Sequence, residues 1–134
     1  MKIVHAIGEV KSYTILVKQA DIASFESGVV HPVYATFALG RDAEWACRLF
    51  VLEMKEMHEE GIGTYLNIKH QSPALVGQTV LFQATLESIE KNNIHCSFVA
   101  KVGTRIIATG TQGQKIVAKD KLSQLFESLN QTKA

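Results

Sequence analysis

The chain has 134 residues, with 14 basic and 13 acidic side chains, a formal net charge of +1 and a hydrophobic fraction of 46%. That length suits one domain, residues 1–134, with a substantial core. The near-neutral balance gives no electrostatic case for nucleic acid or for an anionic membrane surface.

Two cysteines, Cys47 and Cys96, match no zinc or redox spacing and make no disulfide framework, which points to a reducing compartment. The apolar run in MKIVHAIGEV is too short for a signal-peptide core. No segment approaches the roughly 20 apolar residues of a membrane span. The expectation is a cytoplasmic protein.

Residues 9–18 carry β-branched and aromatic side chains and read as a first strand. Residues 20–34, with Gly28 and Pro32, read as a loop or short helical turn. Residues 35–59 read as one long helix, stopped by Gly61 and Gly63. Two apolar series at helical spacing run along it: Ala38, Trp45, Leu49 and Leu52, then Ala43, Ala46, Phe50, Met54 and Met57. Together they cover more than half its circumference, so other structure should wrap it.

Strand signals follow at 62–71, 78–90, 94–102 and 105–118. Lys91-Asn92-Asn93 reads as a tight hairpin turn because Asn tolerates positive φ. Gly103-Thr104 is the next turn, while Gly110 and Gly113 suggest bulges or close backbone approach. Residues 119–130 read as a short helix, with Asp120 as a candidate cap. Strands joined by short turns must pair antiparallel. The order therefore predicts an α+β architecture, one sheet packed on one central helix.

Chemistry has few obvious homes. His5, His31, His58, His70 and His95 show no helical metal spacing and no Cys/His cluster, so no metal is expected. There is no nucleophile elbow, dinucleotide fingerprint or P-loop.

Alternation puts His70 on the face of Leu66 and Ile68, where Ser72 and Pro73 break the strand. It reads either as a satisfied strand-end histidine or as a catalytic group at a pocket mouth. Glu44 lies opposite the helix's apolar arc and reads as an i, i+4 partner of Arg48 or as a pocket carboxylate. Thr36 reads as a helix N-cap or as a polar site group. Gly63 reads as a helix terminator or as a point of close substrate approach.

Taken together, Ala35-Thr36, Glu44, Gly63-Thr64 and the passage His70…Pro73…Gly77…Val80 resemble the fluoroacetyl-CoA thioesterase-like branch of the hotdog superfamily. The likeness runs from about Val30 to Val117. It implies a hotdog fold, a long helix wrapped by a curled antiparallel sheet, and a homodimer with acyl-CoA sites at the subunit interface. Pairing of dimers into tetramers is a further option.

The implied reaction is hydrolysis of a small or short-chain acyl-CoA. Thr36, Glu44 and His70 would be catalytic and Gly63 would sit at the substrate carbonyl. Imidazole suits proton transfer near neutral pH. Glu44 would activate water or attack directly. Coenzyme A belongs to the substrate, and no separate cofactor is expected. Phe25, Val30 and Tyr34, with Val29 and Val33, are candidate acyl-pocket or lid residues. Lys69, Arg105, Lys115 and Lys119 are candidate phosphate contacts by strand position. Gly113 and Gln114 are candidates to line a backbone groove on the last strand.

Two other readings compete with this one. An enoyl-thioester hydratase of this fold resembles sequences with aspartate and histidine five apart, but Asp21, Asp42 and Asp120 are followed there by Glu26, Cys47 and Leu125. A non-catalytic acyl-CoA-binding dimer would keep the pocket without the reactive side chains.

Overall fold

The structure, a computed structural model, describes residues 1–131 except for the side chain of Val30. Its elements are β1 (Val10–Leu16), a 3-10 turn (Gln19–Asp21), β2 (Ile22–Phe25), β3 (Gly28–Tyr34), α1 (Thr36–Met54), β4 (Glu59–His70), β5 (Thr79–Glu90), β6 (Asn93–Val102), β7 (Arg105–Ala118) and α2 (Lys119–Gln131). Five strands form one antiparallel sheet in the order β1-β5-β6-β7-β4, and β2 and β3 pair separately. The sheet curls round α1 in the hotdog arrangement.

The core follows from two periodicities. On α1, Leu39, Ala43, Ala46, Cys47, Phe50, Val51 and Met54 are buried, a three-four spacing that keeps one face inward. On β5, Val80, Phe82, Ala84 and Leu86 are buried, and on β6, Ile94, Cys96, Phe98 and Ala100, each at a spacing of two. Burying a side chain of Phe or Leu size contributes roughly 1.5–3 kcal/mol. The facing positions mix large Phe50, Phe82 and Phe98 with small Ala43, Ala46 and Ala84, which lets helix and sheet interdigitate.

The helix is not wrapped on every side. Of the first apolar series, Ala38 is buried, but Trp45 is 42% and Leu52 36% exposed, and Phe37 beside them is 55% exposed. This stripe lies open. The sheet also leaves β4 as an edge strand of 12 residues, paired only with β7. Unpaired N–H and C=O groups along such an edge are a template for another strand.

Three expectations are corrected. The helix ends at Met54, not 59. Lys55 is already extended, at φ −73° and ψ 149°, and its N–H donates to Val51 O at 2.9 Å. Residues 55–58 have helical propensity but nothing to pack on, Met57 being 92% exposed, and Glu59 and Glu60 pair with Ala118 and Val117 instead. Tertiary pairing has overridden propensity. Gly61 and Gly63 accordingly lie inside β4 and do not stop the helix.

Residues 20–34 are mostly a β-hairpin, turned at Gly28 with φ +113°. Tyr34 N–H donates to Ala74 O at 2.8 Å and Val33 bridges Leu75, so the hairpin lies against the segment after β4. In the β5–β6 turn the positive φ, 58°, falls on Lys91 and not on an asparagine. Asn92 is occupied with Ile116, donating Nδ2–H to its carbonyl at 2.8 Å and accepting its N–H at 2.9 Å. Asp120 sits in the first turn of α2, where a carboxylate suits the helix dipole. No residue of α2 is buried.

Candidate active site

The helix start and the end of β4 meet at the first half of the site. Ala35, with extended backbone, occupies the N-cap position, so Thr36 is the first helical residue and makes no capping bond. Its Oγ1 lies 2.9 Å from His70 Nδ1. The hydroxyl either donates to Nδ1, leaving the proton on Nε2, or accepts from Nδ1–H, leaving Nε2 as a base. His70 Nε2 is buried and has no hydrogen-bond partner among the described residues. A buried ring nitrogen without a partner is costly in a purely structural histidine.

Thr36 and His70 line a cavity of about 270 Å³ with His31, Val33, Ser72 and Pro73. Burial pushes the His70 pKa below the ordinary imidazole value; a backbone group of Ser72 acts in the opposite sense without meeting hydrogen-bond geometry. Arg105 holds the next residues in place, donating to Ser72 Oγ and, at 2.6 Å, to Pro73 O. That occupies one of the candidate phosphate contacts.

The second half surrounds Glu44. Arg48 is not its partner: Arg48 donates to Gly61 O and to Glu60 Oε1, both at 2.9 Å. Glu44 Oε1 accepts from Gln112 Nε2 at 3.3 Å. The carboxylate occupies the space a side chain at Gly63 would need, since a Cβ built there meets Glu44 Oε1. Glu44 and Gly63 line a cavity of about 480 Å³ with Tyr13, Arg41, Trp45 and Gln114.

A bulge makes this possible. The β4–β7 register skips Thr64, pairing Gly63 with Gln114 and Tyr65 with Gly113. Strict alternation would set Gly63 and His70 on opposite faces. One inserted residue reverses the parity. Gly61 and Gly63 therefore face Val51 and Glu44 on the helix, as do Leu66 and Ile68, which lie against Gly40.

The two halves do not meet within one chain. Thr36 and Glu44 are eight residues apart on one helix, about 12 Å along its axis. Gly63 and His70 are seven residues apart on one strand, roughly 20 Å. Each half has its own cavity.

Of the candidate acyl-pocket residues, Phe25 is 63% exposed, its ring 5.9 Å from that of Phe37. Val30 lies on β3, its side chain outside the description. Tyr34 also borders the smaller cavity but is 1% exposed, and its hydroxyl donates to Asp42 Oδ2 at 2.5 Å. Burial and that carboxylate push the Tyr34 phenol far above its ordinary value. Arg41 completes the network, donating to Asp42 Oδ1 at 3.0 Å and to Asp21 Oδ1 at 2.9 Å. The network ties the start of α1 to the segment leading into the hairpin, and sequence reading missed it.

Sequence reading also missed Gln112. Its signal is an inward-facing polar residue on β7, at the period of Ala108, Gly110, Gln114 and Ile116. Apart from these cavities, Glu56, His58 and Glu59 cluster at the surface, where the Met1 amino group reaches Glu56 at 2.9 Å and Glu59 at 2.5 Å.

Residues 17–120 match the family model of the fluoroacetyl-CoA-specific thioesterase. The chain belongs to that family. Membership makes it a thioester hydrolase, and acyl-CoA thioesterase activity in general follows. A Thermus thermophilus hypothetical protein, a thioesterase superfamily member, is 33% identical with a TM-score of 0.90, covering 94% of this chain and 93% of its own.

The fluoroacetyl-CoA thioesterase FlK superposes with a TM-score of 0.85 at 22% identity, over 97% of this chain and 98% of its own. A hot-dog-like protein from Thermanaerovibrio acidaminovorans gives 0.83 at 18% identity, over 96% and 93%. The last two show the fold alone. Comparison with curated proteins gave no match. Among the described residues no helix is long and apolar enough to cross a membrane.

Two outcomes follow from this geometry. Gly63→Ala is expected to fold, because the atom it displaces ends a flexible side chain, while turnover falls about 100-fold as the Glu44 carboxylate is moved aside. Steady-state kinetics beside a thermal melt checks both parts. Because His70 is held below the usual imidazole range, it stays neutral down to lower pH than a free histidine. The acid limb of kcat/KM is therefore expected below about 6.5, and His70→Ala should abolish that limb in any residual activity. By linkage, the unfolded chain takes up this proton first, so the His70 contribution to stability falls as pH drops through about 6.5.

Proposed function

We propose that the protein hydrolyses a small or short-chain acyl-CoA to the free acid and coenzyme A, as a homodimer whose sites combine Glu44 of one subunit with Thr36 and His70 of the other. The observation that carries this reading is the division of the reactive groups into two cavities, beside a strand edge with no partner. Self-pairing of β4 across a two-fold axis at Asn67, with Thr64 again left out of the ladder, sets Gly63 opposite the partner's His70. Paired residues point to the same face, so the Glu44 carboxylate over Gly63 comes beside the partner's imidazole. The exposed stripe of Phe37, Trp45 and Leu52 gives such a dimer apolar surface to cover.

In the assembled site, the thioester carbonyl lies beside Glu44 at the glycine, where no side chain blocks it. Glu44 either removes a proton from water as it attacks the carbonyl carbon, or attacks that carbon itself to give an anhydride that water opens. The C–S bond breaks, and the imidazole, neutral at the start, takes up the proton lost by the water that attacks the carbonyl or opens the anhydride and passes it to the leaving thiolate. Thr36 holds the ring in the working tautomer. Backbone N–H groups at the start of α1 supply dipoles for the developing oxyanion.

The small acyl class rests on the modest volume of the His70 cavity, about 270 Å³, bordered by Val33, Tyr34 and Pro73. FlK, a relative in fold, has been seen as a variant in complex with acetyl-CoA. A cytoplasmic setting fits the two unpaired, buried cysteines.

The test is thiol release from a graded set of acyl-CoAs, from acetyl and fluoroacetyl to long-chain and aryl. Wild type should turn over the short members. Glu44→Gln and His70→Ala should each lose at least about 100-fold. Binding of the short esters without thiol release would mark a ligand-binding dimer instead, and full activity in either variant would remove that residue from the chemistry.

A further inference from the structure

We infer that Gln112 and Gln114 form a buried relay that orients the Glu44 carboxylate, making Gln112 a positioning residue for the hydrolysis; this rests on the reading of Glu44 above. Gln112 is 0% and Gln114 2% exposed, both on the inward face of β7. Gln114 Nε2 donates to Gln112 Oε1 at 3.0 Å, and Gln112 Nε2 donates to Glu44 Oε1 at 3.3 Å.

Two amides on the inner face of a sheet are costly against an apolar alternative. Ile116, next in the same inward row, shows the residue type that packing alone would select.

The direction of the relay is set by chemistry. An ionised carboxylate only accepts hydrogen bonds, so Gln112 must turn its NH2 toward Glu44. That leaves its carbonyl facing Gln114, which must in turn present NH2. Reversing either amide would set oxygen against oxygen in a buried place. The charge on Glu44 thus fixes both side chains, and they fix it.

The consequence is an asymmetric carboxylate. Oε1 is held by Gln112 and also fills the space above Gly63, while among the described residues no hydrogen bond engages Oε2. One oxygen is anchored and the other is available to a water or a carbonyl carbon. A shorter acid at position 44, or a β7 without the amide, would lose that division. Preorganisation of this kind acts on the rate of the chemical step more than on substrate affinity.

The test is a double-mutant cycle. Gln112→Met keeps the length and removes the donor. It is expected to lower kcat about 10- to 100-fold with KM within about twofold. In a Glu44→Gln background, measured by single turnover with enzyme in excess, the same substitution should lower the rate no further, because its action runs through the carboxylate. Gln114→Met should give a smaller loss that disappears when Gln112 is already Met, and it serves also if Gln112→Met folds poorly.

Equal losses in the presence and absence of the Glu44 carboxylate would overturn the relay and leave Gln112 as packing. So would a wild-type kcat in Gln112→Met while Glu44→Gln collapses. Full turnover in Glu44→Gln alone is a different failure: it removes Glu44 from the reaction and the relay with it.

Discussion

Close approach of α1 to β4 is the constraint on which the rest depends. Glycine at three points leaves room for it. A Cβ at Gly40 would lie 3.0 Å from Ile68 Cδ1 and 3.2 Å from Leu66 Cδ2, one at Gly61 would meet Val51, and one at Gly63 would meet Glu44. Glycine at these places brings a polar helix residue down onto the strand, where it would otherwise point to solvent. The bulge at Thr64 then keeps the glycine pair and His70 on one face of a strand that alternation alone would have divided.

The same geometry explains why the reactive groups are split. The helix carries Thr36 and Glu44 about 12 Å apart, and β4 carries His70 and Gly63 at matching ends. Each end therefore holds one half of the proposed site: a hydroxyl with an imidazole, or a carboxylate with a glycine. Running β4 against a second copy of itself exchanges the ends. A free edge strand, normally an aggregation hazard, becomes in the proposed dimer the element that would assemble two identical sites.

Much of the fold was legible because its periods are strong. The alternations on β5 and β6 and the three-four spacing of α1 correspond to buried faces. The placing of Leu66, Ile68 and His70 on one face agrees with the register. What could not be read depends on contacts distant in sequence. Nothing local announces the Thr64 bulge, so Gly63 alone read as well for a helix terminator. Residues 55–58 looked helical until β7 drew Glu59 and Glu60 into the sheet. The hairpin at 22–34 is short and irregular, and it is fixed by Ala74 and Leu75 forty residues on. Family likeness singled out Thr36, Glu44, Gly63 and His70 together, and the structure brings them into two pairs. Gln112 carried a signal, polarity on an inward row, but it is visible only once the register of β7 is known.

The central claim is that each site is shared between two chains, and mixing inactive subunits tests it most directly. Glu44→Gln and His70→Ala subunits are unfolded or dissociated together and allowed to pair at random. In a shared site, one of the two sites in each mixed dimer regains both wild-type groups. Thiol release should then return to about a quarter of the wild-type rate per subunit, from near zero in either variant alone. No recovery, with mixed dimers shown to form, would place Glu44 and His70 of the same chain in one site and contradict the account.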